Sequence, residues 1–362
     1  LPDGSPLAPG RAMLEAGEHV ALRARVDEAL QVFARQEMEQ LVAIDADLLP
    51  VAEQLAAAVA GGKRLRAAFC YWGWRAAGQP DSDALVRAAA AMELVHAAAV
   101  VHDDLIDESP VRHGVPSTHI ALRAAFGGRA SPGAGARALA LLVGDLLMSW
   151  AGQLFTSCGL PAAYLARARV LWVVMARELI AGECLEILRT GARPDTGSSL
   201  QVVRYKTAKY TVEHPLHIGG ALAGAPRPLM EAFTAYGLPL GEAFQLRDDL
   251  LGLFGDPERT GKSNLDDICG NRPTPLLAVT WSAATAAERR ELRGLLGRRG
   301  LGGDGLLRVR EIMRRTQAPA HIEEMITQRV QAATTALAHA DLPACAARAL
   351  SQLVTSATAR QS

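Results

Sequence analysis

The stretch from residue 92 to residue 114, MELVHAAAVVHDDLIDESPVRHG, constrains this chain more than any other, because it ends an apolar, alanine-rich run with three aspartates. If the run is helical, His96, Val100, Asp103 and Asp107 follow one another at spacings of 4, 3 and 4 and share one face, with Asp104 beside them. Like charges so placed repel unless cations or hydrogen-bond donors compensate them. A hard cation such as Mg²⁺ suits the purpose, since it accepts one or two protein carboxylates while keeping water and phosphate oxygens in its shell. Three clustered acids alone leave phosphatase, kinase and purely structural readings open.

Around this stretch the chain reads as helix. Alanine dominates, aromatic residues make up only 5%, and β-branched alternation is scarce, which favours helices over a sheet. The pattern predicts helices near 11–43, 47–59, 63–77, 82–107, 117–125, 135–156, 160–189, 198–212, 216–223, 227–251, 273–288, 304–314, 317–338 and 341–355. Pro and Gly fall between many of them, as in GQP, ESP, CGLP and FGDP. The 362 residues, 49% apolar, can fill one large core. No composition shift marks a linker, so the expectation is a single all-α domain over 1–362, with flexible termini and a surface loop at the Gly-rich GRRGLGGDG, near 297–305.

Charge and cysteine content narrow the setting. Lys plus Arg and Asp plus Glu both number 38, a balance that does not suggest a nucleic-acid surface. The five cysteines are scattered, with no C-x-x-C pair, which argues against a disulfide scaffold or a cysteine zinc site and fits a reducing cytoplasm. The opening LPDGSPLAPG lacks the basic and apolar regions of a secretory signal. Apolar runs such as AAAAMELVHAAAVV meet charge or histidine before reaching spanning length, so no transmembrane segment is expected.

A second acidic stretch, GEAFQLRDDLLGLFGDPERTGKSNLDD, begins at residue 241. Gln245 and Asp248 lie three residues apart, with Asp249 adjacent. If its helix faces the first, the two acidic faces bracket a diphosphate through bound Mg²⁺. Basic groups surround both stretches: Lys63, Arg64 and Arg66 after a Gly61-Gly62 turn, Arg112 and His113 after the first, Lys206 and Lys209 on a short helix, and Lys262 after the second. A diphosphate needs such donors as well as bridging metal.

At these residues the sequence resembles the trans-isoprenyl diphosphate synthases, or polyprenyl synthetase family. The matching stretches are GGKRLR at 61–66, ELVHAAAVVHDDLID at 93–107, VRHG at 111–114, GD at 144–145, KTAKYT at 206–211 and FQLRDDLLGLFGDPERTGK at 244–262, in the family's order. The resemblance implies a helical bundle around a deep central prenyl-substrate cavity, commonly a homodimer. It implies that Asp103 and Asp107 coordinate magnesium, that Asp104 supports them, and that Asp248, with Asp249 beside it, acts from the opposite side. Lys63, Arg66, His96 and His113 match positions that hold isopentenyl diphosphate. Arg112, Lys206, Thr207, Gln245 and Lys262 match positions around the allylic diphosphate.

The implied reaction is condensation of the two diphosphates to a longer all-trans prenyl diphosphate, assisted by Mg²⁺, with three ions around bound diphosphate. Ala98 and Ala99 stand before the first aspartates where family members that stop at C15 carry bulky aromatics. That implies an open cavity floor and geranylgeranyl diphosphate, C20, as product, unless Met92, Phe126, Leu146 or Trp150 closes the cavity deeper down. Three departures stand out. Gly252 occupies the third acidic position of the second motif, His113 replaces an arginine, and Asn271 stands where a lysine commonly precedes Arg272. The alternatives are a class I terpene cyclase, whose second metal motif is not found near Asp248, and a noncatalytic prenyl-binding or regulatory subunit.

Overall fold

The computed structural model describes residues 9–112, 114–127, 132–256, 264–298 and 300–358. Ten α-helices of the first part are α1 Pro9–Ile44, α2 Leu49–Val59, α3 Leu65–Ala76, α4 Asp83–Ile106, α5 Thr118–Ala121, α6 Pro132–Thr156, α7 Ala162–Arg189, α8 Thr196–Val202, α9 His214–Ala223 and α10 Arg227–Phe254. Further helices follow at Pro275–Ala283, Ala286–Leu295, Gly303–Arg315, Ala318–His339 and Ala344–Thr358; the first four enclose the end of α10, and the last packs near its start, where Tyr236 donates to the Leu350 carbonyl. The all-α expectation holds, with one small addition: β1 Val111–Arg112 pairs antiparallel with β2 Val115–Pro116.

α4 is the spine of the bundle. Ser82 caps its start by accepting from the Leu85 amide, and the alanines that follow (Ala88, Ala89, Ala90, Ala91 and Ala98) are fully buried. A helix so uniformly small lets neighbours approach on every side, and α1, α3 and α6 do so. Length and apolar composition would let α4 and α6 cross a membrane, which corrects the expectation that no run is long enough; 72% and 44% of their most apolar windows are buried inside the fold. Two apolar clusters result, one around α3, α4, α6 and α9, the other between the end of α10 and the later helices.

Between α8 and α9 the backbone widens into a π-helical segment, Val203–Glu213, so that one continuous helix runs from Thr196 to Ala223. The expected break after residue 212 is therefore absent, and Pro215 explains the widening. Proline has no amide to donate and its ring crowds the carbonyl four residues back, and a wider turn relieves both conflicts. Glycines on two neighbouring helices admit the swollen backbone. A Cβ on Gly182 of α7 would lie 2.3 Å from the Lys206 amide nitrogen, and one on Gly241 of α10 would lie 2.6 Å from the Ala208 Cα.

Other departures from the expected helices are local. The predicted 273–288 element is two helices divided at Ala284 and Thr285, where a capping box between Thr285 and Glu288 starts the second. The region expected as a loop ends early, at Gly303, where a new helix begins.

Replacing Gly241 with alanine should destabilise the protein by about 1–3 kcal/mol, the usual cost of overpacking a close backbone contact. Urea unfolding of the variant and the parent measures it; an unchanged midpoint would mean that α10 does not grip the π segment.

Candidate active site

The last turn of α4 carries Asp103 and Asp104, and Asp107 is its C-cap. A helix C-terminus already bears partial negative charge, so acids there need cations nearby. Three supply it. Arg112, held out by the β1–β2 hairpin, donates Nε to Asp104 at 2.9 Å and Nη2 to Asp103 at 3.0 Å. Lys206, on the π segment, reaches Asp103 at 2.9 Å, Glu183 at 2.9 Å and Glu186 at 2.6 Å. Arg272 bridges Asp107, Glu186 and Asp267.

The second acidic stretch meets the first through the same π segment. Thr207 Oγ1 donates to Gln245 Oε1 at 2.8 Å, and Gln245 Nε2 donates to Asp249 Oδ1 at 2.8 Å. Asp249 is buried, and its Oδ2 has no hydrogen-bond partner among the described residues. Asp248, next to it on α10, is half-buried. One turn on, a Cβ at Gly252 would lie 3.2 Å from Asp267 Oδ2. Asp267 thus fills the space that an acid at residue 252 would need.

Electrostatics divide these carboxyl groups into two kinds. Burial works to raise Asp103, but Lys206, Arg272 and Arg112 outweigh it and hold the group below the usual carboxylate range. Burial pushes Asp107 up to about 7, with the Asp103 charge adding to the effect against Arg272. Burial likewise raises Asp249 well above the ordinary range, helped by Asp267 and Asp248. Lys206 stays charged despite burial because Asp103, Glu186 and Glu183 surround it.

The other expected residues are placed less uniformly. Lys63 is exposed at its turn. Arg66 is buried, donates to Tyr210 Oη at 2.6 Å and Thr211 Oγ1 at 3.0 Å, and stacks over the Tyr210 ring. His96 Nδ1 lies 3.2 Å from the same Tyr210 Oη. Ala99 is half-buried one turn before Asp103, whereas Ala98 is fully buried in helix packing and does not face the cleft. His113 and Lys262 lie outside the described residues.

Glu183, Glu186, Asp267, Arg272 and Tyr210 enter the site without having been singled out by the sequence. Glu183 and Glu186 stand three apart in GECLEIL on a predicted helix, a same-face acidic pair like the one that drew attention to α4.

The donor set suits a hard divalent ion: it consists of carboxylate oxygens, one of them orphaned in the interior, and Asp107, pushed up by burial with the Asp103 charge adding to it, is a group whose charged form a cation would favour. As the side chains stand, no three His, Cys, Asp or Glu groups among the described residues are close enough to hold a metal. Lys206 and Arg272 lie between the acids instead.

Residues 50–311 match the family model of the polyprenyl synthetases. The chain is 36% identical over 226 residues to a (2E,6E)-farnesyl diphosphate synthase of Mycobacterium tuberculosis, a match covering 62% of this chain and 57% of that protein. It is 36% identical over 220 residues to the octaprenyl diphosphate synthase of Escherichia coli, covering 60% and 62% of the two chains. A geranylgeranyl pyrophosphate synthase from Corynebacterium glutamicum, crystallised with isoprenyl diphosphate and magnesium, superposes with a TM-score of 0.90 at 32% identity, over 94% of this chain and 99% of that one. These relatives make products of different length, and the likeness does not choose among them.

A carboxyl whose folded pKa lies above its unfolded value takes up a proton on folding, so stability is lost as pH rises between the two. For Asp249 that window opens above the ordinary aspartate value near 3.8, and each such proton is worth about 1.4 kcal/mol per pH unit. Metal-free protein should therefore melt at lower temperature at pH 8 than at pH 5, and Asp249→Asn should flatten that slope. An equal slope in the variant would mean that Asp249 is ionised in the fold.

Proposed function

The chain belongs to the polyprenyl synthetase family, and from that premise we propose that it is a Mg²⁺-dependent trans-prenyltransferase, condensing isopentenyl diphosphate with an allylic diphosphate. The proposed product is geranylgeranyl diphosphate, C20, and the whole chain acts as one cytoplasmic catalytic domain. The observation that carries this reading is the interleaving of charge: acids of α4 and α7, and Asp267 after α10, with Lys206, Arg112 and Arg272 among them. That is the complement of a diphosphate with its metal ions, which presents both anionic oxygens and cations.

In this reading Asp103 and Asp107 would hold Mg²⁺ from one side and Asp248 from the other, with three ions expected once diphosphate is bound. Bound Mg²⁺ supplies Lewis-acid stabilisation of the departing diphosphate. Arg112, Lys206, Thr207, Gln245 and Lys262 grip the allylic diphosphate, and Lys206 exchanges carboxylate partners for phosphate oxygens. Its charge then faces the oxygen on which negative charge develops as the C1–O bond breaks. Lys63, Arg66, His96 and His113 hold isopentenyl diphosphate so that its double bond attacks the allylic C1. A new carbon–carbon bond forms there, and the proton lost from the adjacent carbon goes to the departing diphosphate. No covalent enzyme intermediate is required.

The proposed assembly is a homodimer. On α7, Val170, Val173, Ile180 and Ile187 are exposed along one helical stripe, and α6 exposes Leu141 and Leu142. An apolar stripe of that kind is what a second copy would cover.

With labelled isopentenyl diphosphate, Mg²⁺ and C5, C10, C15 or C20 allylic starters, the purified protein should make longer diphosphates only when metal is present, ending at C20. Folded protein that elongates no starter would sink the proposal. Asp103→Asn should lower turnover on the order of 10²–10³-fold, the usual cost of removing one preorganised electrostatic contact, with circular dichroism unchanged. Light scattering should give twice the chain mass for the parent, and the single mass once Val173 and Ile180 are both glutamate.

A further inference from the structure

Three cations stand close together in GGKRLR, and the fold sends them in three directions. Lys63 is exposed at the turn, and Arg66 is buried against Tyr210 from the first turn of α3. Arg64, between them, is 8% exposed, and its guanidinium points back to α1 and α2. Its Nε donates to Asp27 Oδ1 on α1 at 2.6 Å, and its Nη2 donates to the Val59 carbonyl, in the last turn of α2, at 2.6 Å. A helix end leaves its last carbonyls unpaired and partly negative, so a guanidinium placed there supplies both a donor and a charge.

The backbone at Arg64 is strained. With φ at +53° and ψ at +38° it occupies the left-handed region, which residues with a Cβ rarely enter. Gly61 and Gly62, at φ +69° and +102°, take the same sign without that cost. A third glycine would serve at residue 64 if backbone shape were all the turn required, so what the arginine adds is its side chain, whose two charge-assisted hydrogen bonds offset the strain. A Cβ on Gly62 would lie 3.8 Å from Arg64 Nη1, so the guanidinium folds back against the turn. It closes a ring with the backbone from Val59 to Arg64, and Lys63 stands on the rim of that ring. The Arg64 carbonyl meanwhile accepts from the Ala68 amide at 3.0 Å and starts α3 two residues before Arg66. One residue therefore fixes both the turn that carries Lys63 and the start of the helix that carries Arg66.

We infer that Arg64 is a positioning residue for the isopentenyl diphosphate grip, a clasp that holds Lys63 and Arg66 in register without itself touching substrate; the inference rests on the prenyltransferase reading above. Asp27 of α1 acts through it. With the clasp open, the Gly-Gly turn regains freedom that binding must then remove, and affinity for the diphosphate falls. The bond-breaking step is untouched, because the clasp is the same with substrate bound and in the transition state. Lysine is no substitute, since a single ammonium lacks the planar fork that meets a carboxylate and a carbonyl together.

The test measures kcat and the KM of each substrate in the parent, Arg64→Lys, Arg64→Gly and Asp27→Ala, with melting curves to confirm folding. Each variant should raise KM for isopentenyl diphosphate about 10-fold, the usual worth of one charge-assisted hydrogen bond. Turnover at saturation and the allylic KM should stay within about 2-fold of the parent. Arg64→Gly is decisive, because it keeps the left-handed turn and removes only the side chain: a parental KM there would overturn the clasp. Asp27→Ala, at a half-buried position on α1, keeps the question answerable should an Arg64 variant fold poorly. Equal losses in kcat and in both KM values would make Arg64 a residue of stability alone and would also overturn it. Calorimetric titration with isopentenyl diphosphate alone separates this inference from the reading beneath it. A parent that neither binds it nor elongates a starter overturns that reading, whereas a parent and variants that bind it equally overturn only the clasp.

Discussion

Carboxylates from α4, α7 and α10 and from the segment after α10 face one another across a single cleft, and cations must stand between them for the bundle to close. The acids of α4, α7 and α10 stand on helices whose apolar faces are buried in the bundle. The repulsion is met locally, by Arg112 from a hairpin, Lys206 from a π-helical turn and Arg272 from a downstream loop. Breaking one member of a buried charge network costs more than the pair contributes, because the partner is left uncompensated. The positions of these three side chains are consequently tied to the stability of the fold as well as to any ligand.

This arrangement also poises the cleft to exchange partners. In the proposed reaction a metal ion on Asp103 and Asp107 would compete with Lys206 and Arg272 for them, while a diphosphate would compete with the acids for the same two cations. Bound together, metal and diphosphate satisfy both sets at once, whereas either alone leaves one set unpaired. The chemistry therefore favours joint occupancy over partial loading.

Much of this was legible in the chain. The 4-3-4 spacing through His96 and Asp107 and the alanine run before it identify α4 and its acidic end, because helical periodicity and charge repulsion are local properties. The second acidic stretch was legible for the same reason. What was hidden depends on tertiary position. That Ala98 turns into the packing, that Asp267 fills the space beside Gly252, and that Tyr210 joins Arg66 to His96 follow from how helices cross, which no spacing in one segment encodes. The π segment was missed because its cause, Pro215, reads in sequence as a boundary and acts in the structure as a reason to widen.

That widened segment joins two registers. Upstream, Lys206 and Thr207 aim at the cleft; downstream, Leu216 and Ile218 are fully buried on α9. Because a residue advances an α-helix by about 100°, deleting one residue while the swollen turns keep their width would rotate one end against the other by roughly that much. Either the cleft or the core would then lose its side chains. The number of residues between Lys206 and Leu216 is thus as constrained as their identities, so this stretch should tolerate many substitutions more readily than a single insertion or deletion.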